Sequence, residues 1–208
     1  MPNALQPSQL RDQFGDIDIY LFDQMLRGHI DEGARVLDAG CGSGRNMVFM
    51  VRAGMRVFAV DADADAIASA QRRLSEAAPD FDPTRLSVQR VDALAFARNS
   101  MDVVISSAVL HFAANDAHFD AMVNEMWRVL APRGMLFCRL ASTIGIEDAV
   151  QRIQGRRHLL PDGSTRYLVD EAQLMETTRR VGGALLDPLK TTVVQGMRAM
   201  TTWVVVKG

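Results

Sequence analysis

Only two cysteines, Cys41 and Cys138, occur in the 208 residues. Two thiols cannot build a disulfide framework or a self-contained zinc site, so no metal ligands are assigned. No apolar run approaches the ~18–20 residues that span a bilayer. The opening residues Met1 to Gln6 lack the basic and apolar regions of a secretory signal. A soluble, cytoplasmic protein with no membrane partner is therefore expected. An excess of charge of one sign is missing too: 23 Lys and Arg face 25 Asp and Glu, a net −2. That balance argues against a globally basic nucleic-acid binder, though not against a local basic patch. Lysine itself is nearly absent, Lys190 and Lys207 being the only two. Aromatic residues make up 6%, yet 48% of the chain is hydrophobic, enough to fill the core of one domain of this size.

Repeats, low-complexity stretches and an interdomain linker are also lacking, so residues 1–208 read as a single domain. What the chain does have is a regular alternation. Residues 16–30 carry Ile19, Phe22, Met25, Leu26 and Ile30 at helical spacing. Arg35-Val36-Leu37 leads a short strand into the turn Asp38-Ala39-Gly40-Cys41-Gly42-Ser43-Gly44. A helix is predicted from about Arg45 to Ala53, ending at Gly54, then a strand from Val57 that ends at Asp61. Ile67, Ala70 and Leu74 resume helical spacing, followed by strands from Leu86 to Val91 and from Val103 to Ser106. Asn115 or Asp116 can cap a helix with the stripe Phe119, Met122, Val123, Met126 and Leu130. Met135 begins a fifth strand. This order predicts an α/β fold: a doubly wound, mostly parallel sheet of seven strands with helices on both faces. After Leu140 the rhythm breaks. Residues 142–169 are polar and arginine-rich; beyond them the pattern predicts a helix at about 170–181 and strands at about 184–195 and 199–206. The last two are close enough to pair as a hairpin, ending the sheet with an antiparallel strand.

Ligands of such sheets sit beyond the carboxyl ends of the strands, and three features collect there. Gly40, Gly42 and Gly44 let the backbone approach a ligand and present N–H groups. Their spacing departs from G-x-G-x-x-G, because position 45 is Arg, which disfavours a pyrophosphate loop. Asp61, 21 residues after Gly40, is placed to accept hydrogen bonds from both hydroxyls of a ribose. Asp92-Ala93 offers a carboxylate to an exocyclic adenine amine. Each alone has an ordinary explanation as a turn or capping residue; together they describe an adenosine laid across adjacent strand ends.

Val36 to Gly44 closely resembles the first motif of the class I S-adenosylmethionine-dependent methyltransferases. Val57 to Asp61, Asp92-Ala93 and Asp102 to Phe112 resemble the second, third and fourth motifs, and Trp127 to Leu136 the helix-to-strand signature that follows. Within the family, Gly44-Arg45-Asn46 and the compact size look most like small bacterial enzymes of the tellurite-resistance type. The resemblance implies a Rossmann-like fold, S-adenosyl-L-methionine as cofactor and S-adenosyl-L-homocysteine as product. It places Asp38, Gly40, Cys41, Gly42 and Asn46 around the methionyl part. Asp61 and Ala62 fall at the ribose and adenine, Asp92 and Ala93 at the adenine edge, and Ser106 or Ser107 near the methionyl amine.

The acceptor is less legible. Methyl transfer from a sulfonium is an in-line displacement that needs alignment, and a base only where the acceptor must lose a proton. The Asn/Asp-Pro-Pro-aromatic motif of nucleic-acid amino-methyltransferases is absent after the fourth strand, where Ser106-Ser107-Ala108-Val109 stands. No Pro-Cys nucleophile exists either, and both cysteines read as packing or backbone-defined positions. His111 is the candidate base, set against an ordinary helix-start histidine. Arg152, Arg156, Arg157, His158, Arg166 and Tyr167 in the 142–169 insertion are candidate lid residues, with a solvated face as the alternative for Arg152, Arg156 and Arg157. Phe14 and Tyr20 of the N-terminal helical segment, residues 1–30, are candidates to close over the cofactor, or else core residues. A small-molecule acceptor, anions among the candidates, is the leading expectation, with no nucleic-acid partner. The alternatives are a nicotinamide-dependent oxidoreductase and a non-catalytic S-adenosylmethionine-binding module.

Overall fold

The structure, a computed structural model, describes residue 6 and residues 9–208. The reading of Met1 to Leu5 therefore lies outside the described residues. Helices α1 (Leu10–Phe14) and α2 (Ile19–Leu26) precede the first strand, β1 (Arg35–Ala39). There follow α3 (Met47–Arg52), β2 (Arg56–Asp61), α4 (Ala64–Ala77), β3 (Leu86–Val88) and β4 (Met101–Ser107). Next come α5 (Asp116–Val129) and β5 (Leu130–Ala141). Three short strands, β6 (Gln151–Gln154), β7 (Arg157–Leu159) and β8 (Thr165–Tyr167), lead to α6 (Glu171–Arg180). The chain closes with β9 (Gly183–Leu185), β10 (Lys190–Val194) and β11 (Arg198–Lys207).

The main sheet has the order β10-β11-β5-β4-β1-β2-β3, with β9 also alongside β11. Strands β1 to β5 run parallel, and β11 is antiparallel to β5, β9 and β10. The predicted sheet is thus present, with one further strand. Alternate residues of each strand enter opposite cores. Val36, Val57, Val103, Ile105 and Phe137 pack with Leu21, Met47, Met50, Ile67 and Leu74 of α2, α3 and α4. Leu37, Val104, Leu136, Cys138 and Trp203 pack with Phe119, Val123, Met126 and Leu174 of α5 and α6. The order in which strands are added reverses between β1 and β4, the switch point where a parallel sheet opens a crevice.

Several boundaries differ from the sequence reading for identifiable reasons. Helix α2 starts only at Ile19, because Asp18 is its N-cap and accepts from the Tyr20 N–H. Strand β3 stops at Val88; Gln89 then donates to the Asp61 carbonyl and its side chain accepts from the Ala95 N–H, bending the chain away. The strand expected over 184–195 splits into β9 and β10. Pro188 cannot donate to a ladder, and the buried Asp187 beside it accepts from Gln24 and Arg27. The 142–169 insertion contains a separate antiparallel sheet, β6-β7-β8, rather than irregular chain. It is anchored by Tyr167, fully buried and stacked on Phe119 at 5.3 Å. Among the described residues no helix is long and apolar enough to cross a membrane.

Candidate functional site

A cavity of about 560 Å³ opens at the carboxyl ends of β1, β2 and β4. Gly40, Cys41, Gly42, Asn46, Asp61, Ala62, Asp92 and Ser107 all line it. The loop after β1 is held open by its glycines. Gly40 has φ +88°, and a Cβ there would collide with Val109 on the opposite wall. Gly42 has φ +54°, and its Cβ position faces open space, so a ligand can lie directly against the backbone. Asp61 clamps the loop by accepting from the Gly42 N–H at 2.8 Å, while its second oxygen accepts from the Asp63 N–H at 3.0 Å.

Asp92 is held in a two-pronged pair by Arg90, at 2.9 and 2.7 Å, with the His118 ring 3.5 Å away. The guanidinium holds the Asp92 carboxyl below the usual carboxylate range. Ala93 is not on the wall; its N–H donates to the Arg90 carbonyl. Asp38 and Ser106 lie behind the wall, almost fully buried. Neither Asp38 oxygen nor the Ser106 hydroxyl has a hydrogen-bond partner, although buried polar groups are as a rule paired. Burial pushes the Asp38 carboxyl up to about 7. Burial likewise raises both thiols, Cys41 and Cys138, consistent with packing rather than nucleophilic roles.

Sequence reasoning missed the hub beneath this cavity, Asp18. Its Oδ2 accepts from Arg45 Nη2 at 3.3 Å, Ser107 Oγ at 3.2 Å and Arg139 Nη1 at 3.3 Å. Its own N–H donates to Asn46 Oδ1 at 3.0 Å. One nearly buried carboxylate thus ties α2 to the glycine loop and to the ends of β4 and β5. An acid before an apolar helical run signals a cap; nothing local signals the two arginines, which arrive from 27 and 121 residues away. Arg90, Val109, Phe112, His118 and Met122 also line the cavity and were not foreseen.

A second cavity of about 290 Å³ adjoins the first. Ala108 lines both. It has φ +64°, a left-handed conformation costing an alanine about 1–2 kcal/mol, and its N–H donates to the Arg139 carbonyl at 2.7 Å. Strain of this kind collects at functional sites, where surrounding structure over-determines it. His111 and Arg166 face this second cavity rather than the first. His111 is 8% exposed, its Nδ1 has no partner, and burial pushes the imidazole down to about 4, assisted by Arg166.

The other acceptor-side candidates are not brought to it. Arg156 pairs with Asp170 at 2.7 Å beside a different hollow, and His158 Nδ1 is bonded to the Arg156 carbonyl. Tyr167 is a core residue whose hydroxyl donates to Asp116 and accepts from Gln173. Arg152 is exposed on β6. Tyr20 touches the second cavity indirectly, through its hydroxyl on Thr192, and lies under the Arg139 guanidinium at 5.2 Å. Phe14 packs on Phe22 and Phe49.

Comparison with known proteins agrees with this geometry. Residues 36–134 match a family model described as a methyltransferase domain. A ubiquinone biosynthesis O-methyltransferase of Brucella anthropi is 29% identical over 167 residues, 77% of this chain and 64% of that protein. The chain spans less than two thirds of the length of the curated relatives it matches. Among solved structures, the magnesium protoporphyrin IX methyltransferase of Synechocystis, with S-adenosylmethionine bound, superposes with a TM-score of 0.70 at 18% identity. That match covers 91% of this chain and 77% of that one. A Burkholderia thailandensis 1,6-didemethyltoxoflavin-N1-methyltransferase, with its substrate and S-adenosylhomocysteine bound, gives 0.67 at 18% identity, over 96% and 84%. At such identities the likeness is one of fold. The match to the methyltransferase-domain model spans just under half of the chain.

Proposed function

We propose that this protein transfers a methyl group from S-adenosylmethionine to a small-molecule acceptor. The observation that carries the reading is the first cavity: a glycine loop clamped by Asp61 and a second carboxylate, Asp92, at adjoining strand ends. The open space over Gly42 lets a ligand lie against the loop backbone, with the orphaned Asp38 carboxyl and Ser106 hydroxyl directly behind that wall. On this reading Asp61 holds the ribose hydroxyls, and Ala62 and Asp92 flank the adenine. Asp38, Gly40, Gly42 and the Ser106–Ser107 backbone surround the methionyl group, with Cys41 and Asn46 completing the loop. When bound, the cofactor supplies a methyl already activated on a sulfonium, so the protein's task is alignment and exclusion of water.

The acceptor enters through the second cavity, with Ala108 as the shared wall at which the two ligands meet. His111 faces that cavity as a neutral imidazole, the form that can take a proton from an acceptor that must lose one. Titrating S-adenosylhomocysteine and NAD separately by calorimetry tests the cofactor assignment: the former should bind and NAD should not. Tight NAD binding without S-adenosylhomocysteine would overturn it. A transfer assay with labelled S-adenosylmethionine against a metabolite extract should then label a small molecule; label confined to macromolecules would reject the acceptor class.

A further inference from the structure

The second cavity carries more information than its position. Its floor is apolar, from Ala108, Ala141, Leu160 and Met200, and its polar wall is dominated by arginine. Three arginines, Arg139, Arg166 and Arg198, line it together with a single carboxylate residue, Asp162. Arg139 is already matched by Asp18. Arg166 and Arg198 are not so matched. Among the described residues the Arg166 side chain donates only to the Thr165 carbonyl and lies over the Phe112 ring at 5.0 Å, with no carboxylate partner, and the Arg198 side chain makes no hydrogen bond or ion pair. Asp162 feels both as neighbouring charges, yet its carboxylate bonds to Ser164, at 2.9 and 2.6 Å.

Two buried polar atoms belonging to residues of this wall also lack partners: Arg139 Nε, a donor, and His111 Nδ1. His111 is more than nine-tenths buried, so its free nitrogen cannot be satisfied by bulk water. Two guanidinium groups against one resident carboxylate leave a single uncompensated positive charge, the complement of a monoanion. An apolar floor in a cavity of about 290 Å³ suits a compact hydrocarbon or aromatic body. Guanidinium groups recognise carboxylates through paired, directional hydrogen bonds.

We propose that the second cavity binds a small carboxylate with an apolar body, its anionic end on Arg166 and Arg198 and the body directed along the apolar floor toward Ala108. This assignment rests on the methyltransferase reading and names the acceptor's class. It also separates Arg166 from Arg156 and Arg152 of the same insertion, which do not line this cavity.

The probes are benzoate, benzamide and benzylamine, which share a body and differ in charge. S-adenosylhomocysteine is titrated first by calorimetry, and each probe is then titrated with that ligand saturating. Benzoate should bind about tenfold tighter than either of the others, the factor expected of a charge-assisted contact. Arg166→Gln and Arg198→Gln should each weaken benzoate about fivefold, discounted for partial exposure, while leaving S-adenosylhomocysteine affinity intact as the check on folding. Arg152→Gln, an exposed arginine of the same insertion, should change neither. Equal binding of benzamide, preference for benzylamine, undetectable benzoate, or benzoate affinity indifferent to Arg166 and Arg198 would each overturn the assignment while leaving the cofactor reading standing. Failure of S-adenosylhomocysteine itself to bind would overturn both.

Discussion

The two cavities meet at Ala108 but are built in different ways. The first is assembled mainly from short segments that follow β1, β2, β3 and β4, with the carboxylates of Asp61 and Asp92 on its wall. The second draws on the turn after β4, the end of β5, the insertion and the β10–β11 hairpin, and its charge is basic. Burial acts on both with opposite signs of charge. It favours the neutral carboxyl at Asp38 and the neutral imidazole at His111. The difference teaches that the first cavity is a property of the parallel sheet, whereas the second belongs to what was added to it.

The sharpest way to break the first cavity alone is Gly40→Ala. The added methyl meets Val109 and imposes a positive φ on a side chain, so a stability loss of about 2–4 kcal/mol is expected in denaturant unfolding. A loss below about 0.5 kcal/mol would mean that the wall relaxes freely. Next in size, on the proposed assignment Asp61→Ala should weaken S-adenosylhomocysteine by about 1.5–3 kcal/mol, since the Gly42 N–H and the ligand's ribose hydroxyls would lose a charged acceptor. Benzoate titrated alone should be unaffected; parallel losses would show that the cavities do not act separately.

The pH dependence of stability separates the cavities by sign. Asp38 has a folded value raised to about 7 from 3.8, so the fold holds its proton more tightly than the unfolded chain does. Its contribution therefore falls as pH rises between those values and stays low above them. His111, lowered to about 4 from 6.5, does the reverse: its contribution is lost as pH falls through that window. Relative to the parent, Asp38→Asn should gain stability on going from about pH 5 to pH 8, and His111→Gln on going from about pH 7 to pH 4. Unfolding curves across that range check both, and a shared sign would refute the contrast. The smallest effect is expected at the common wall. Ala108→Gly relieves the left-handed strain and should add about 1 kcal/mol of stability, read as a rise in Tm. An unchanged or lower Tm would show that the alanine methyl contributes packing that offsets its strain.

Much of the first cavity was legible because strand ends are local features. The hydrophobic run of β1, the glycines after it and the carboxylate ending β2 lie within 27 residues, from Arg35 to Asp61. Ala93 was misread, because the backbone turn at Arg90 consumes its N–H. Of the candidate lid residues in the insertion, only Arg166 lines the second cavity. The sequence shows arginines at 152, 156, 157 and 166 but not which face of which strand each occupies. Strand pairing among β6, β7 and β8 decides that, and a register change of one residue would exchange the faces. Arg198 and Thr192 were not offered as site residues, because they belong to a C-terminal hairpin that reads only as sheet edge.

The sequence by itself determined the doubly wound sheet, the crevice at its carboxyl edge and the carboxylates that follow β2 and β3. Hydrophobic periodicity and turn chemistry act over a few residues, so they are written where they operate. Tertiary structure alone decided the role of Asp18, the separation of His111 from the first cavity and the placing of Arg166 and Arg198 on one wall. Those depend on electrostatic and packing contacts between segments that only the folded topology brings within a few ångströms. Coulombic attraction and hydrogen bonding follow distance in space, which the spacing of residues along a chain does not specify.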